Sequence, residues 1–117
     1  MYKVSKRIEV AGSHRLELDY DSPCSRLHGH NWIITVHCQS PVVNQNGMVI
    51  DFARIKKLVH GKMDHQNLNE LFSFNPTSEN IAKWIYDTIN ADLFDTEAFC
   101  YKVEVQESEG NVACYEE

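Results

Sequence analysis

The sequence lacks an excess of basic residues, and it contains no long apolar run. Eleven Lys and Arg residues stand against seventeen Asp and Glu residues, which gives a formal net charge of −6. A nucleic-acid-binding surface requires a basic stripe, so the composition argues against one, although a local cluster of cations around a phosphate stays compatible with it. No apolar run approaches the roughly 20 residues of a membrane-spanning helix, and Met1 leads into charged residues rather than a signal sequence. We therefore expect a cytoplasmic protein that binds neither nucleic acid nor a membrane.

The sequence also lacks any Cys-x-x-Cys pair among its four cysteines. In a reducing compartment, cysteines spaced in this way are typically free thiols rather than disulfides. Two of them lie within alternating apolar segments, which predicts that they are core residues. These two are Cys38 and Cys100, and the others are Cys24 and Cys114.

The chain contains enough hydrophobic residues to form the core of one folded domain. The chain has 117 residues, of which 43% are hydrophobic, and it includes two Trp, five Phe and five Tyr. Such a composition is typical of a folded rather than a disordered protein, and the length suits a single core. We predict one domain that spans residues 1–117.

Two segments in the first third of the chain show the period-2 alternation of β-strands. In residues 2–10 the even positions are mainly apolar, and this segment runs on toward His14. In residues 30–39 one face is again apolar, and it consists of Trp32, Ile34, Val36 and Cys38. Residues 40–47 are rich in turn-forming types, and we expect the two strands to form a long hairpin.

Helical spacing replaces alternation in the middle of the chain. A first helix follows Asp51 and ends at Gly61 or soon after it, with Phe52, Ile55, Leu58 and Val59 on its apolar face. The polar segment 63–69 separates it from a second helix, whose N-cap is Thr77 or Ser78. The apolar stripe of this second helix consists of Ile81, Trp84, Ile85, Ile89 and Leu93.

The end of the chain predicts a second hairpin, with strands around residues 99–106 and 112–115 and a turn at 107–111. The element order is then ββααββ. Strands paired by hairpins and helices grouped between them predict an α+β fold, in which a four-stranded antiparallel sheet carries two helices on one face. Four strands cannot close a barrel, so we expect the sheet edges to be covered by joining sheets between subunits.

The chemistry of the sequence is concentrated between Cys24 and Trp32. His28 and His30 are two residues apart on an extended segment, so both imidazoles can reach one point. A third donor is needed, and His14 is the best candidate. Three imidazoles with one open position are typical of a catalytic zinc site. The alternative is that His28-Gly29-His30 is an accident of a loop and that His14 is unrelated.

Several motifs, taken together and in this order, resemble the 6-pyruvoyl-tetrahydropterin synthase family. They are Ser13-His14-Arg15-Leu16, Cys24-x-x-x-His28-Gly29-His30-Asn31, Asp64-His65-x-x-Leu68-Asn69, Asn75-Pro76-Thr77-Ser78-Glu79 and the late Glu107. The resemblance covers nearly the whole chain. The three-residue spacer between Cys24 and His28 is similar to the bacterial 6-carboxy-5,6,7,8-tetrahydropterin synthase branch, which belongs to the queuosine pathway. The resemblance implies a tunnelling fold (T-fold) that assembles as a homohexamer, a dimer of trimers, around a central barrel.

The resemblance also implies an activity, namely conversion of 7,8-dihydroneopterin triphosphate to 6-carboxy-5,6,7,8-tetrahydropterin with loss of acetaldehyde and triphosphate. It implies Zn²⁺ on His14, His28 and His30, which would acidify the side-chain hydroxyls. Cys24 would act as the base, since nearby Zn²⁺ favours the thiolate.

Two further roles follow from the same resemblance. Asp64 and His65 would form a proton relay, in which the carboxylate orients the imidazole. Glu107 would bind the 2-amino and N3 hydrogens of the pterin, because two parallel donors match one carboxylate. The alternative for Asp64 is a helix-capping residue in a polar loop.

Three functions are compatible with this pattern. The first is the lyase described above, and the second is another pterin reaction, such as that of the 6-pyruvoyl synthase or of a side-chain-cleaving aldolase. The third is a non-catalytic module that binds zinc or a pterin. Cys24 argues against the third, because binding alone has no use for a thiol beside three imidazoles.

Overall fold

The computed structural model describes residues 1–117, which form one five-stranded sheet and three helices. The strands lie in the order β3-β1-β2-β4-β5 across the sheet. In chain order the elements are β1 (Tyr2–His14), β2 (His28–Ser40), α1 (Phe52–Met63), β3 (Gln66–Asn67), α2 (Leu68–Leu71), α3 (Ser78–Asp92), β4 (Phe99–Ser108) and β5 (Asn111–Glu116). A short 3-10 turn at Pro23–Ser25 lies between β1 and β2.

Strands β1 and β2 form one uninterrupted antiparallel ladder. It pairs Tyr2 with Ser40 at one end and His14 with His28 at the other. The connecting loop is therefore 15–27, and the turn at 40–47 leads on toward α1 instead of joining the two strands. The alternation predicted from the sequence is confirmed on both strands, because their apolar face is fully buried at Val10, Trp32, Ile34 and Val36.

A register shift interrupts the pairing of β2 with β4 next to Cys38, which pairs with Cys100. Next to the register shift, the Asn90 side chain on α3 makes hydrogen bonds to the backbone of Cys100, as a neighbouring strand would. Its Oδ1 accepts from Cys100 N at 2.8 Å, and its Nδ2 donates to Cys100 O at 2.9 Å. The register shift changes which side chains of β4 face the core, so that Cys100 is buried together with Val103 and Val105. The core positions predicted for Cys38 and Cys100 are confirmed, whereas strict alternation along β4 is not.

The prediction of four strands was one strand short. The two-residue strand β3 pairs in parallel with Gly12 and Ser13 of β1. The chain turns into this position at His65, whose φ is +58° and whose backbone N donates to Ala11 O at 2.7 Å. Two residues show no hydrophobic period, so alternation could not reveal this strand. The single-turn helix α2 follows it directly.

The two longer helices cover one face of the sheet, as the sequence predicted. Asp51 caps α1 through Ala53 N at 2.9 Å, and Thr77 caps α3 through Asn80 N at 3.1 Å. Helix α1 continues through Gly61 to Met63. The apolar faces of sheet and helices form one cluster of 22 buried residues. No helix has the length and apolar character that crossing a membrane requires.

Candidate metal centre

The register of the first hairpin brings three imidazoles to one end of the sheet. His14 lies opposite His28, and Gly12 lies opposite His30, so the three rings share the helix-covered face. His14 is fully buried, and the other two are half-buried. The ring centroids lie 4.6 Å apart for His14 and His28, 5.1 Å for His14 and His30, and 4.8 Å for His28 and His30. The sequence-predicted triad is therefore one spatial cluster.

A carboxylate joins this cluster from the neighbouring part of the sheet. Glu107, near the end of β4, places its Oε1 3.0 Å from His14 Nε2 and 3.2 Å from His30 Nε2. With His28, one donor atom from each of these four residues lies within 4.8 Å of the others. Sequence reasoning selected Glu107 for the pterin and not for this position. Strand β4 pairs with β2, which carries His30, and only a prediction of this strand order could have placed Glu107 beside the imidazoles.

Backbone carbonyls fix the ring orientation of two of the histidines. His14 Nδ1 lies 2.8 Å from Pro76 O, and His28 Nδ1 lies 2.7 Å from Arg26 O. A carbonyl oxygen only accepts, so Nδ1 carries the proton in both rings and Nε2 keeps its lone pair. This is the arrangement in which metal-binding histidines are usually held.

The Nε2 atoms of His14 and His30 are buried and have no hydrogen-bond partner. Their contacts with Glu107 are short but lack the geometry of hydrogen bonds. Burial is the main cause that lowers the pKa of His14, and the pKa of His30 is also lowered, again mainly by burial and against the effect of Glu107. Both rings are therefore neutral near pH 7. Buried lone pairs that converge without a proton between them suit a bound cation, so these residues fit a metal ion.

Two asparagine side chains hold the chain as it leaves β1. Asn69 accepts from Arg15 N at 2.7 Å and donates to Arg15 O at 2.9 Å. Asn75 does the same for Glu17, at 2.9 and 3.0 Å. Together with Pro76, whose carbonyl accepts from His14, they fix the buried end of the strand. The sequence analysis used the 75–79 motif as a helix start and as part of the family resemblance, and it did not predict this role.

Trp32 packs against the cluster from the core side. Its ring centroid lies 4.8 Å from that of His14 and 5.3 Å from that of His30. Its Nε1 donates to Gly12 O at 3.1 Å, so the indole is fixed by a hydrogen bond as well as by packing. A Cβ at Gly12 would lie 3.4 Å from this Nε1, which is an ordinary van der Waals contact.

Cys24 lies on the 3-10 turn within the loop that joins His14 to His28. Its carbonyl accepts from Leu16 N at 2.8 Å, which ties the turn to the chain just after β1. The residue is exposed, and its thiol is not among the four clustered donors. The structure therefore places Cys24 on the loop between His14 and His28 and not within the cluster.

Asp64 and His65 lie together at the end of α1, outside the four-donor cluster. Asp64 Oδ2 is 3.5 Å from His65 Nε2 and 3.3 Å from His60 Nε2. The bond from Ala11 N, together with the two imidazoles, holds the pKa of Asp64 below its usual range. Asp64 is therefore ionised near pH 7. The His65 ring is 83% exposed and borders a cavity of about 450 Å³ that it shares with His30.

A second cavity, of about 550 Å³, borders the cluster at Glu107. Glu107 lines it together with Ser78 and Glu79 from the start of α3 and with residues 110–114 around the last turn. Glu107 thus stands between the imidazoles and an open space, with 25% of its side chain exposed. It is the one residue that belongs to both the cluster and this cavity.

Comparison with known proteins gives consistent matches. A family model described as 6-pyruvoyl tetrahydropterin synthase matches residues 3–117. The 6-carboxy-5,6,7,8-tetrahydropterin synthase of Bacillus subtilis is 29% identical over 97% of this chain and 84% of its own length. A dihydroneopterin monophosphate aldolase of Pyrococcus furiosus is 41% identical over 57% of this chain and 59% of its own. The solved structure of Caenorhabditis elegans 6-pyruvoyl tetrahydropterin synthase aligns with a TM-score of 0.77 and 26% identity, over 99% of this chain and 95% of that one.

Proposed function

The chain belongs to the 6-pyruvoyl tetrahydropterin synthase family, and from this premise we propose that it is a zinc-dependent pterin lyase. Its substrate is 7,8-dihydroneopterin triphosphate, and its products are 6-carboxy-5,6,7,8-tetrahydropterin, acetaldehyde and triphosphate, in queuosine biosynthesis in the cytoplasm. The observation that carries the proposal is the cluster of three imidazoles, in which buried Nε2 atoms lack any hydrogen-bond partner. The Bacillus subtilis relative, which bears the name of this activity, supports the choice of reaction.

His14, His28 and His30 hold the zinc ion in this proposal. When bound, the zinc polarises oxygen atoms on the substrate side chain and makes their protons more acidic. The carbonyls of Pro76 and Arg26 keep the Nε2 lone pairs of His14 and His28 directed into the site. The neutral state of the buried rings favours metal binding near pH 7, because a protonated imidazole cannot donate a lone pair.

Cys24 is proposed as the base that removes a proton from the substrate side chain. It is exposed and carried on the loop between His14 and His28, four residues before His28. A nearby zinc ion would favour the thiolate, which is the form of the side chain that can accept a proton.

Asp64 and His65 are proposed as a proton relay. The ionised carboxylate lies 3.5 Å from the His65 ring and is fixed by its bond to Ala11 N at 3.0 Å. Such a carboxylate orients the imidazole and stabilises its charged form. Because the ring is exposed on a cavity that it shares with His30, it can exchange protons with a molecule bound there.

Glu107 is proposed to bind the pterin ring. Its carboxylate borders the cavity of about 550 Å³, a volume that suits a small heterocycle. Two parallel N–H donors, from the 2-amino group and N3, match the two oxygens of one carboxylate. The contact would fix the ring so that its side chain points toward the imidazoles.

A different reaction on the same pterin is the second candidate. Two relatives support it, since one is named an aldolase and another a 6-pyruvoyl synthase. A module that binds zinc or a pterin without turnover is a third candidate, for which a thiol beside the metal would have no use. All three candidates share the metal centre and differ in what happens to the substrate side chain.

Product analysis separates these candidates. With 7,8-dihydroneopterin triphosphate we expect acetaldehyde and triphosphate in equal amounts, together with a pterin that carries a carboxyl group at position 6. The products can be identified by chromatography and mass spectrometry, with protein stripped of metal as the control. A product that keeps its three-carbon side chain, with no acetaldehyde, would instead identify the 6-pyruvoyl reaction. No turnover by zinc-loaded protein would contradict the enzyme proposal.

The assembly can be predicted from the exposed sheet edges. Strand β3 pairs only with Gly12 and Ser13, so the rest of the outer edge of β1 has no neighbouring strand, and β5 forms the other edge. Such edges are templates for pairing with a strand of another chain. We expect light scattering to give a multiple of the trimer, with a homohexamer of six 13.5 kDa chains as the proposed state. A monomer at micromolar concentration would contradict this.

A further inference from the structure

We propose that His60 is a third member of the relay formed by Asp64 and His65, a positioning residue that holds the Asp64 carboxylate in front of the His65 ring. His60 lies outside every motif that carries the family resemblance. This inference rests on the proposed function, since it takes His65 as a proton carrier during turnover. It gives the relay an anchor on helix α1.

The end of α1 places His60 and Asp64 side by side. Asp64 follows the last residue of the helix, and its backbone N donates to His60 O at 3.0 Å, as in one more helical turn. Side chains four residues apart on a helix lie on the same face. His60 Nε2 therefore comes within 3.3 Å of Asp64 Oδ2, whereas His65 Nε2 lies 3.5 Å from the same oxygen. Of the two imidazoles at this oxygen, His60 is the nearer.

The two oxygens of the Asp64 carboxylate have different partners. Oδ1 accepts from Ala11 N at 3.0 Å, which ties the side chain to β1, and Oδ2 faces the two imidazoles. A carboxylate that is held through one oxygen turns about that contact, and a contact to the second oxygen fixes its plane. The pKa of Asp64 is lowered first by the bond from Ala11 N, against desolvation, and then more by His60 than by His65. His60 is therefore the stronger imidazole partner of the carboxylate.

The His65 ring has no other polar contact to hold it in the relay. The ring is 83% exposed, and its ion-pair partner is Asp64 Oδ2. An exposed side chain changes rotamer readily, so the position of the carboxylate decides where the His65 ring is directed. The His60 side chain is only 35% exposed and is carried by the regular part of α1. The less exposed imidazole thus fixes the carboxylate, and the carboxylate directs the exposed imidazole.

The surroundings of His60 also direct it toward Asp64. His60 lines a cavity of about 250 Å³, and the charged residues that share this cavity are Lys6, Arg7, Glu9 and Lys56. Three of these four are cations, which repel a ring that bears a positive charge. Asp64 is the carboxylate with which His60 forms its ion pair. An N–H at His60 Nε2 therefore has its favourable acceptor at Asp64 Oδ2 and not in the cavity.

The first test is a double-mutant cycle on turnover of 7,8-dihydroneopterin triphosphate by zinc-loaded protein. We expect His60→Ala to lower kcat by about 2- to 5-fold, the effect of losing one partly exposed ion pair, with KM unchanged. In an Asp64→Asn background the same substitution should have no further effect, because His60 acts through Asp64. Lys57→Ala, at an exposed position of the same helix, is the control and should match the wild type. An unchanged kcat in His60→Ala, or an equal loss in the Asp64→Asn background, would overturn the role.

The second test measures the carboxylate itself and needs no turnover. Hydrogen exchange at the Ala11 amide, followed by NMR on zinc-loaded protein, reports the contact between Ala11 N and Asp64 Oδ1. We expect this amide to exchange about 2- to 5-fold faster in His60→Ala than in the wild type, and at the wild-type rate in Lys57→Ala. Unchanged exchange in His60→Ala would overturn the positioning role. The proposed function fails on a separate result, the absence of any product from the zinc-loaded wild type.

Discussion

Replacing His28 with alanine is expected to strip the protein of its metal and to remove its activity while the fold remains. Two imidazoles hold zinc poorly, so the metal content should fall from about one ion per chain to nearly none. Metal-ion stabilisation of a transition state is worth several kcal/mol, and each 1.4 kcal/mol is a factor of about ten in rate. Turnover should therefore fall by at least roughly 10³-fold.

The fold should survive because the cluster lies at one end of the sheet, whereas the core of 22 residues lies between sheet and helices. Metal analysis, circular dichroism and steady-state kinetics measure the three expectations. His37→Ala is a matched control, since this histidine is on the same strand but lies on the opposite face and pairs with Glu104 at 2.6 Å. It should keep the metal.

Full zinc occupancy in a His28→Ala/His30→Ala double variant would disprove the metal site. Unfolding on removal of the metal would mean that the ion is structural, which is incompatible with the proposed mechanism. Either outcome is distinct from a simple loss of activity, which could arise from many causes.

Replacing Cys24 with alanine is expected to lower kcat by about 10²- to 10⁴-fold, the usual contribution of a positioned acid or base. KM should change little, because the imidazoles and Glu107 remain in place and still bind the substrate. Ser25→Ala, on the same exposed turn, is the control and should behave like the wild type. Zinc content is measured in each variant, because the comparison requires equal loading.

Glu107→Ala is expected to change both KM and kcat, unlike Cys24→Ala. It removes the contact to the pterin ring, so KM should rise, and kcat should also fall as the side chain loses its alignment. If Cys24→Ala turns over like the wild type with its zinc intact, the cysteine is not the base. The base should then be sought at His65, the other proposed proton carrier.

The fold class and the family could be predicted from the sequence, and both predictions are confirmed. Alternation gave the buried faces of β1 and β2, and helical spacing gave α1 and α3, because each pattern extends over many residues. The two-residue strand β3 could not be predicted, since it depends on the backbone conformation of His65 and its bond to Ala11. The register shift at Cys38 depends in the same way on a distant residue, Asn90.

For the site, the sequence predicted the cluster of three imidazoles but not what surrounds it. His28 and His30 share a face because of a two-residue spacing, which is local information. The Pro76 carbonyl beside His14, and the Glu107 carboxylate beside both His14 and His30, come from parts of the chain more than 60 residues away. Such contacts follow from strand order and helix packing, which spacing alone does not specify. The metal and the catalytic roles of these residues stay predictions.

The loop 15–27 gives this scaffold a way to diversify. It joins His14 and His28, which face each other in the ladder, so residues can be inserted or deleted in the middle of the loop, away from Glu17 and Arg26, without displacing either imidazole. The thermodynamic penalty of a longer loop is small, about 0.6 kcal/mol for each doubling of its length. Because Cys24 is carried on this loop, evolution can reposition the thiol while the imidazoles stay where they are. If the loop can change independently of the imidazoles, relatives that share the fold can differ in reaction, and three of them are named for three different reactions.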